Sequence, residues 1–357
     1  MDRCGHHCDC VDAAVSDAVE ENIYFKVEPT VECFPSGCAL LDCVLGGGYA
    51  ETRIINIVGD KSTGKTLLAI EACANFVEKY GKNARVYYNE VEAAFDRSYA
   101  SSLGLPLASV DFCEGMQDFT ADGLFEHLSA VIESHKTDER VLYIVDSLDA
   151  LSDRDEMDRK IDEASYGAGK ARKMSQLFRR LIKSLSSSNV TIIIVSQVRD
   201  NIGVAFGKNY SRSGGRALDF YASQVIYLAH KGYLKRTRKG IERAYGINVK
   251  AKCEKNKVGT PFRDCEFPII FGFGIDDVAA GVEWLRSVKR LDAVGFKDEK
   301  EVKKYIRSLD SMTSKEYDEE RVNVKSAVVE VWDEIEIEFA PKKEKYGIHD
   351  NSDGKKI

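Results

Sequence analysis

No apolar run in this sequence approaches the roughly 20 residues needed to cross a bilayer. The N-terminus also lacks the basic-then-apolar order of a secretory signal. A cytoplasmic protein with no membrane partner is therefore expected. A positive charge excess is missing too: the net charge is −7 and the isoelectric point about 5.6. Any affinity for nucleic acid must then sit in local basic segments and not in a globally basic surface. The ten cysteines show no disulfide-like regularity, and positions such as Cys73, inside an apolar helical pattern, read as small buried hydrophobes of a reducing compartment. The crowded Cys4, His6, His7, Cys8 and Cys10 have the composition of zinc ligands. Four ligands this close would strain a tetrahedron and no second pair follows, so a frayed thiol-rich terminus is the preferred reading. No internal repeat or low-complexity block appears.

What is present is an ordinary soluble composition, 44% hydrophobic and 31% charged over 357 residues, enough for one large domain with small ends. Residues 11–21 suit a short helix and Asn22–Val27 a strand ending before Pro29, a small N-terminal unit over residues 1–33. From 34 to 274 apolar, β-rich runs alternate with amphipathic helical stretches, the order of an α/β fold with a mostly parallel central sheet flanked by helices. The strand candidates are Arg53–Val58, Arg85–Asn89, Val141–Asp146, Val190–Gln197 and Gln224–Leu228. Three end in polar residues at the edge where such folds hold ligands: Asn89 with Glu90, Asp146 with Ser147, and Ser196 with Gln197. Ala171, Met174, Leu177, Phe178, Leu181, Ile182 and Leu185 recur at helical spacing, so that helix packs on the sheet. Gly246–Cys253 and Glu266–Phe271 flank a turn at Gly259-Thr260-Pro261 and should extend the sheet antiparallel. Beyond lie a charged helical segment to about Leu309 and a stretch where Ile335, Ile337 and Phe339 alternate with Glu334, Glu336 and Glu338. These are read as a small α+β subdomain over 275–341, followed by a disordered tail over 342–357.

The chemistry concentrates at Gly59-Asp60-Lys61-Ser62-Thr63-Gly64-Lys65-Thr66, which fits G-x-x-x-x-G-K-[ST] between a strand and the helix Thr66–Tyr80. Glycines let successive N–H groups curl around phosphate oxygens, and the helix N-terminus adds partial positive charge. Lys65 reaches the terminal phosphates and the Thr66 hydroxyl can hold Mg²⁺. The site thus takes a nucleoside triphosphate. Asp146, closing an apolar strand, suits the carboxylate that holds the Mg²⁺ water shell. Glu90 and Glu92 both follow the second strand, and the residues alone do not choose between them as the base for water. Gln197 can contact the γ-phosphate and report its loss to the segment after it.

That segment, Arg199 to Arg216, is glycine-rich and basic through Arg199, Lys208, Arg212 and Arg216, with Ile202 and Phe206 as apolar wedges. It suits single-stranded DNA, phosphates on the cations and bases on the wedges. Arg154 to Gly169 is a second glycine-bearing loop candidate on the same edge. Lys231 to Arg243 gathers Lys231, Lys235, Arg236, Arg238, Lys239 and Arg243 against Glu242, either a patch for a second DNA or a solvated hairpin face.

The runs Ser175-Gln176, Ser196-Gln197-Val198-Arg199, Ile202–Gly207, Gly214–Ser223 and Lys255–Phe262 resemble the RecA recombinase family, in order, over roughly Ile23 to Gly274. The resemblance implies a RecA-type P-loop ATPase core, a filament of subunits on single-stranded DNA, ATP between neighbours, and pairing and strand exchange with homologous double-stranded DNA. It implies that Glu92 is the catalytic glutamate, beside Lys65 and Gln197, and that Asp96 and Tyr99 contact adenine; Phe271 is counted with the nucleotide contacts. Lys255 and Lys257 look like the lysines that reach the ATP of the adjacent subunit, and residues 1–33 like an oligomerisation arm. Gly203–Gly215 takes the place of the second DNA loop and Glu163–Gly169 that of the first, with Arg172, Arg179, Gly214 and Gly215 as backbone contacts. The chain departs from the bacterial pattern at Asp60-Lys61, usually Pro-Glu, at Ser196, usually Asn, and in a tail rich in lysine. The expectation is a DNA-dependent, Mg²⁺-dependent ATPase and strand-exchange recombinase. A RecA-like accessory ATPase and a hexameric RecA-fold helicase are the alternatives.

Overall fold

The computed structural model describes residues 31–91, 95–114, 116, 120–134, 138–152, 167–200, 210–212 and 215–342, with backbone alone for 167–173, 199–200, 210–212 and 215–216. Residues 33–342 belong to one compact unit. The N-terminal helix and strand, the Cys4–Cys10 cluster and the tail from 343 lie outside the described residues.

Five apolar strands set the core: β3 (Ile54–Gly59), β4 (Ala84–Glu90), β6 (Arg140–Asp146), β7 (Val190–Asp200) and β9 (Gln224–Arg238). With the short β5 (Val110–Asp111) they run parallel in the order β9-β3-β7-β6-β4-β5. Their apolar character on both faces is what burial between two helix layers requires. Ile55, Ile57, Leu142, Ile144, Ile193 and Val195 join one core with the helix α2 (Lys65–Tyr80). Their neighbours Ile54, Val58, Val141, Tyr143, Val145, Ile192 and Ile194 face the other, with α4 (Ala121–Ser134) and α5 (Gly167–Leu185). In α5, Met174, Phe178, Leu181 and Leu185 are buried, the expected stripe at helical spacing. The short elements β1 (Cys33–Phe34), α1 (Ala39–Leu45) and β2 (Tyr49–Ala50) precede this core, and α3 (Arg97–Ser102) follows β4.

The antiparallel extension consists of β10 (Ile241–Asn256), β11 (Asp264–Ile270) and β12 (Gly274–Ile275), with β10 paired to β9. Both β9 and β10 run well past the expected Gln224–Leu228 and Gly246–Cys253, because they pair with each other out to Arg238 and Ile241. The basic stretch 231–243 is thus a two-stranded ribbon.

Three expectations need correction. Gly167 to Gly169, read as loop, already lie in α5, so the helix begins earlier than its apolar stripe shows. The Arg199–Arg216 segment is structured at both ends: β8 (Tyr210–Arg212) pairs antiparallel with 198–200, and Gly215 and Arg216 open α6 (Gly215–Tyr221). The C-terminal α+β expectation gives way, among the described residues, to helices: α7 (Asp277–Ser287), α8 (Glu299–Leu309) and α9 (Ser314–Phe339). A capping box of Thr313 with Glu316 starts α9, and Val324, Ala327, Val328 and Val331 form its buried stripe. Ile337 and Phe339 alternate only on the exposed last turn, 73% and 77% accessible, where among the described residues no partner strand competes with helix propagation.

Candidate functional site

The loop between β3 and α2 is shaped by two left-handed residues, Ser62 (φ 57°) and Gly64 (φ 88°). At Gly64 a Cβ would also stand 2.5 Å from Ile269 Cδ1, so glycine suits the position on both counts. Inside the loop the Asp60 carbonyl accepts from Thr63 Oγ1 at 2.9 Å and from Lys65 Nζ at 2.7 Å. The Asp60 carboxylate accepts from the Lys61 amide at 2.7 Å, which accounts for Asp60 as a loop-closing residue and leaves the Lys61 side chain exposed. Lys65 therefore folds its ammonium back across the loop, and Thr66 stands exposed in the first turn of α2. Free N–H groups of a helix's first turn beside a lysine ammonium form an anion site. This arrangement fits a triphosphate.

Strand register assembles the rest. Glu90 pairs with Asp146 across β4 and β6, and Gln197 pairs with Gly59 across β7 and β3, so these groups share the edge on which the loop opens. Asp146 is 8% exposed, and its Oδ2 accepts from the Tyr88 hydroxyl at 2.9 Å. The Asp146–Ser147 peptide is cis. Burial, and then the charge of Asp146, pushes the Tyr88 phenol well up, so it remains a donor. The Gln197 amide donates to Asp149 Oδ2 at 2.6 Å, and Ser196 Oγ donates to Asn56 Oδ1 at 3.0 Å inside the sheet. Ser196 therefore has a buried amide partner of its own.

Beside this edge, Asp96 caps α3 through the Tyr99 amide at 2.9 Å, fixing both expected adenine contacts on one turn. Phe271 is exposed and follows the strand whose Ile269 abuts Gly64. Glu92 lies outside the described residues. Lys255 and Lys257 are not brought to the loop of their own chain: Lys255 pairs with Val225, level with Asn56, and the Lys257 amide bonds to Ser223 O, beyond the start of β9. Their ammonium groups sit on the C-terminal carbonyls of α6, Lys255 on Asp219 O at 2.5 Å and Phe220 O at 2.8 Å, Lys257 on Phe220 O at 3.4 Å.

Of the residues expected to meet DNA, Arg179 is exposed on α5 and donates to Tyr221 Oη of α6 at 3.4 Å. Arg172 lies in the first half of α5, Arg199 and Arg212 in the paired stem, and Gly215 and Arg216 in the first turn of α6. Ile202, Gly203, Phe206, Lys208 and Gly214 lie outside the described residues. On the ribbon, Lys235 pairs with Glu242 at 2.9 Å, and Arg236 with Asp310 of α8's end at 2.6 Å, while Arg236 stacks on Tyr245.

Sequence reasoning missed Tyr88, Asp149 and Glu71. The first two act across strands, which no linear spacing encodes. Glu71, 9% exposed on α2, accepts from the Ile275 amide at 2.9 Å, and burial raises its pKa to about 8. Its signal was a charge amid the apolar run Leu67 to Cys73.

A family model described as the RecA N-terminal domain matches residues 21–276. Among curated proteins, the chain is 38% identical over 245 residues to "Protein RecA" of Prochlorococcus marinus (strain MIT 9303), covering 69% of this chain and 61% of that protein. It is 37% identical over 248 residues to "Protein RecA" of Synechococcus sp. (strain CC9902), covering 70% and 62%. The match thus spans under two thirds of these relatives' own length. Among the described residues no helix is long and apolar enough to cross a membrane.

Proposed function

Because this chain belongs to the RecA family, we propose that it is an ATP-dependent homologous recombinase that forms a filament on single-stranded DNA and exchanges strands with homologous duplex. The observation that carries this reading is the continuity from Gly59 to Gln197 to the paired stem 198–200/210–212. A group beside the terminal phosphate is covalently continuous with the segment proposed to hold DNA. Loss of the γ-phosphate contact at Gln197 is thereby passed along one strand to that segment.

The remaining roles follow from position. Gly59 to Gly64 cradle the phosphates through backbone N–H groups, and Lys65 swings from the Asp60 carbonyl onto the β- and γ-oxygens. Thr66 and Asp146 are the residues to hold Mg²⁺, which supplies neutralisation of charge on the transferring phosphoryl group. Glu92 takes the proton from the attacking water. Asp96, Tyr99 and Phe271 flank the base. Lys255 and Lys257, remote from the loop of their own chain, act on the nucleotide of a neighbouring copy, so binding and assembly are one event. Arg172, Arg179, Arg199, Lys208, Arg212 and Arg216 supply cations for DNA phosphates, with Ile202 and Phe206 against bases. We assign residues 1–33 to subunit contact, 34–274 to the ATPase core and 275–341 to an appended subdomain.

Electron microscopy with a non-hydrolysable ATP analogue and single-stranded DNA tests the reading. Open helical filaments are expected; closed rings would instead assign the chain to hexameric helicases.

A further inference from the structure

Tyr88 is a phenol buried where a phenyl ring would pack as well. Its ring is 0% exposed and lies against Phe95, with centroids 4.8 Å apart, and Phe112, at 6.2 Å. Burying a hydroxyl in such surroundings is unfavourable unless it finds a partner. Register gives the partner. Tyr88 pairs with Ile144, and its side chain spans the two residues from there to the strand end, where the hydroxyl donates to Asp146 Oδ2 at 2.9 Å. The donor is fixed by β4 and the aromatic cluster; the acceptor closes β6. A carboxylate held this way has one oxygen committed and its plane set before any cation arrives, which lowers the ordering needed on binding. Outer-shell partners of this kind orient metal-holding groups and tune affinity.

We propose that Tyr88 is a positioning residue for the nucleotide-bound divalent cation, acting through Asp146; this rests on the reading of Asp146 given above. Removing the hydroxyl leaves the aromatic packing and loosens the carboxylate alone.

The test is binding of a fluorescent ATP analogue titrated with Mg²⁺, which needs no turnover. Tyr88→Phe is expected to raise the Mg²⁺ concentration for half-maximal tight binding about tenfold, the scale of one hydrogen bond to a charged group. Its binding without Mg²⁺ should stay as in the wild type. Phe112→Leu, which disturbs the same aromatic packing without touching the hydroxyl, should leave the Mg²⁺ requirement within about twofold. In an Asp146→Asn background the added effect of Tyr88→Phe should vanish, as for two groups acting through one contact. An unchanged Mg²⁺ requirement in Tyr88→Phe, with Asp146→Asn strongly shifted, overturns the positioning role and leaves the Asp146 reading intact. An equal shift in Phe112→Leu assigns the effect to packing and overturns it as well. If Asp146→Asn itself leaves the requirement unchanged, the reading beneath the proposal fails and the proposal with it.

Discussion

The backbone amide of Gln197 donates to the Asp149 carboxylate across 2.6 Å, tying strand β7 at the phosphate edge to the turn that follows Asp146. Asp149 is 9% exposed, so the bond is poorly served by water. Asp149→Ala should cost about 1.5–3 kcal/mol of stability, the usual worth of a hydrogen bond to a charged group. Asp149→Asn keeps an acceptor and should cost roughly half as much. Urea denaturation reads both. If Asp149 also holds Gln197 in place, the alanine variant keeps nucleotide affinity within a few-fold while its DNA affinity stops responding to ATP.

At Gly64 the backbone, more than space, sets the requirement. The Ile269 methyl in the path of a Cβ is the far end of a flexible side chain, whereas φ of 88° is intrinsic to the loop. Gly64→Ala should therefore weaken nucleotide binding roughly 5- to 30-fold, from 1–2 kcal/mol of left-handed strain. Adding Ile269→Val relieves the contact and should restore less than half of that loss in a binding titration.

Glu71 predicts a pH dependence of stability. Its pKa rises from 4.5 to about 8 on folding because burial opposes the charged form. The folded state then binds more protons than the unfolded one between those values, so this contribution is complete below pH 4.5 and is lost as pH climbs through 8. The loss across that span is on the order of 5 kcal/mol. Asp42, Asp276 and Asp277 are raised in the same direction, so the wild-type curve alone does not isolate the residue. Glu71→Gln, neutral and still able to accept from Ile275, should gain on the wild type steadily from pH 5 to pH 8 in urea midpoints. A constant gap across that range contradicts the assignment.

Glu90, which ends β4, and Glu92, two residues on, should separate by function. Glu92→Gln should bind nucleotide and DNA yet hydrolyse ATP about 100-fold or more slowly, the range for loss of a general base. Glu90→Gln, level with Asp146 and not proposed as the base, should retain hydrolysis within about tenfold. Steady-state ATPase rates with saturating single-stranded DNA decide it.

How much of this was legible in the sequence depends on the range of the interaction. The loop 59–66, the strand ending at Asp146 and the stripe Met174 to Leu185 are local patterns, and the fold places them as the spacing requires. Tyr88 with Asp146 and Gln197 with Asp149 are decided by which strands are neighbours and in what register, 58 and 48 residues apart, so no window along the chain shows them. The α9 error has the opposite cause. The alternation Ile335 to Phe339 is a five-residue pattern, whereas the capping box at Thr313 and the stripe Val324 to Val331 upstream start a helix that propagates through it. The β9–β10 ribbon extends past the expected strands through polar residues whose strand partners, among the described residues, are each other, a pairing that apolar alternation does not signal.

Strand exchange itself is the most direct test. With ATP, Mg²⁺ and a circular single strand, joint molecules and then nicked circular product are expected from a homologous linear duplex, none from a heterologous duplex, and none from Lys65→Ala. Filaments that form normally but yield no joint molecules with homologous duplex would contradict that expectation.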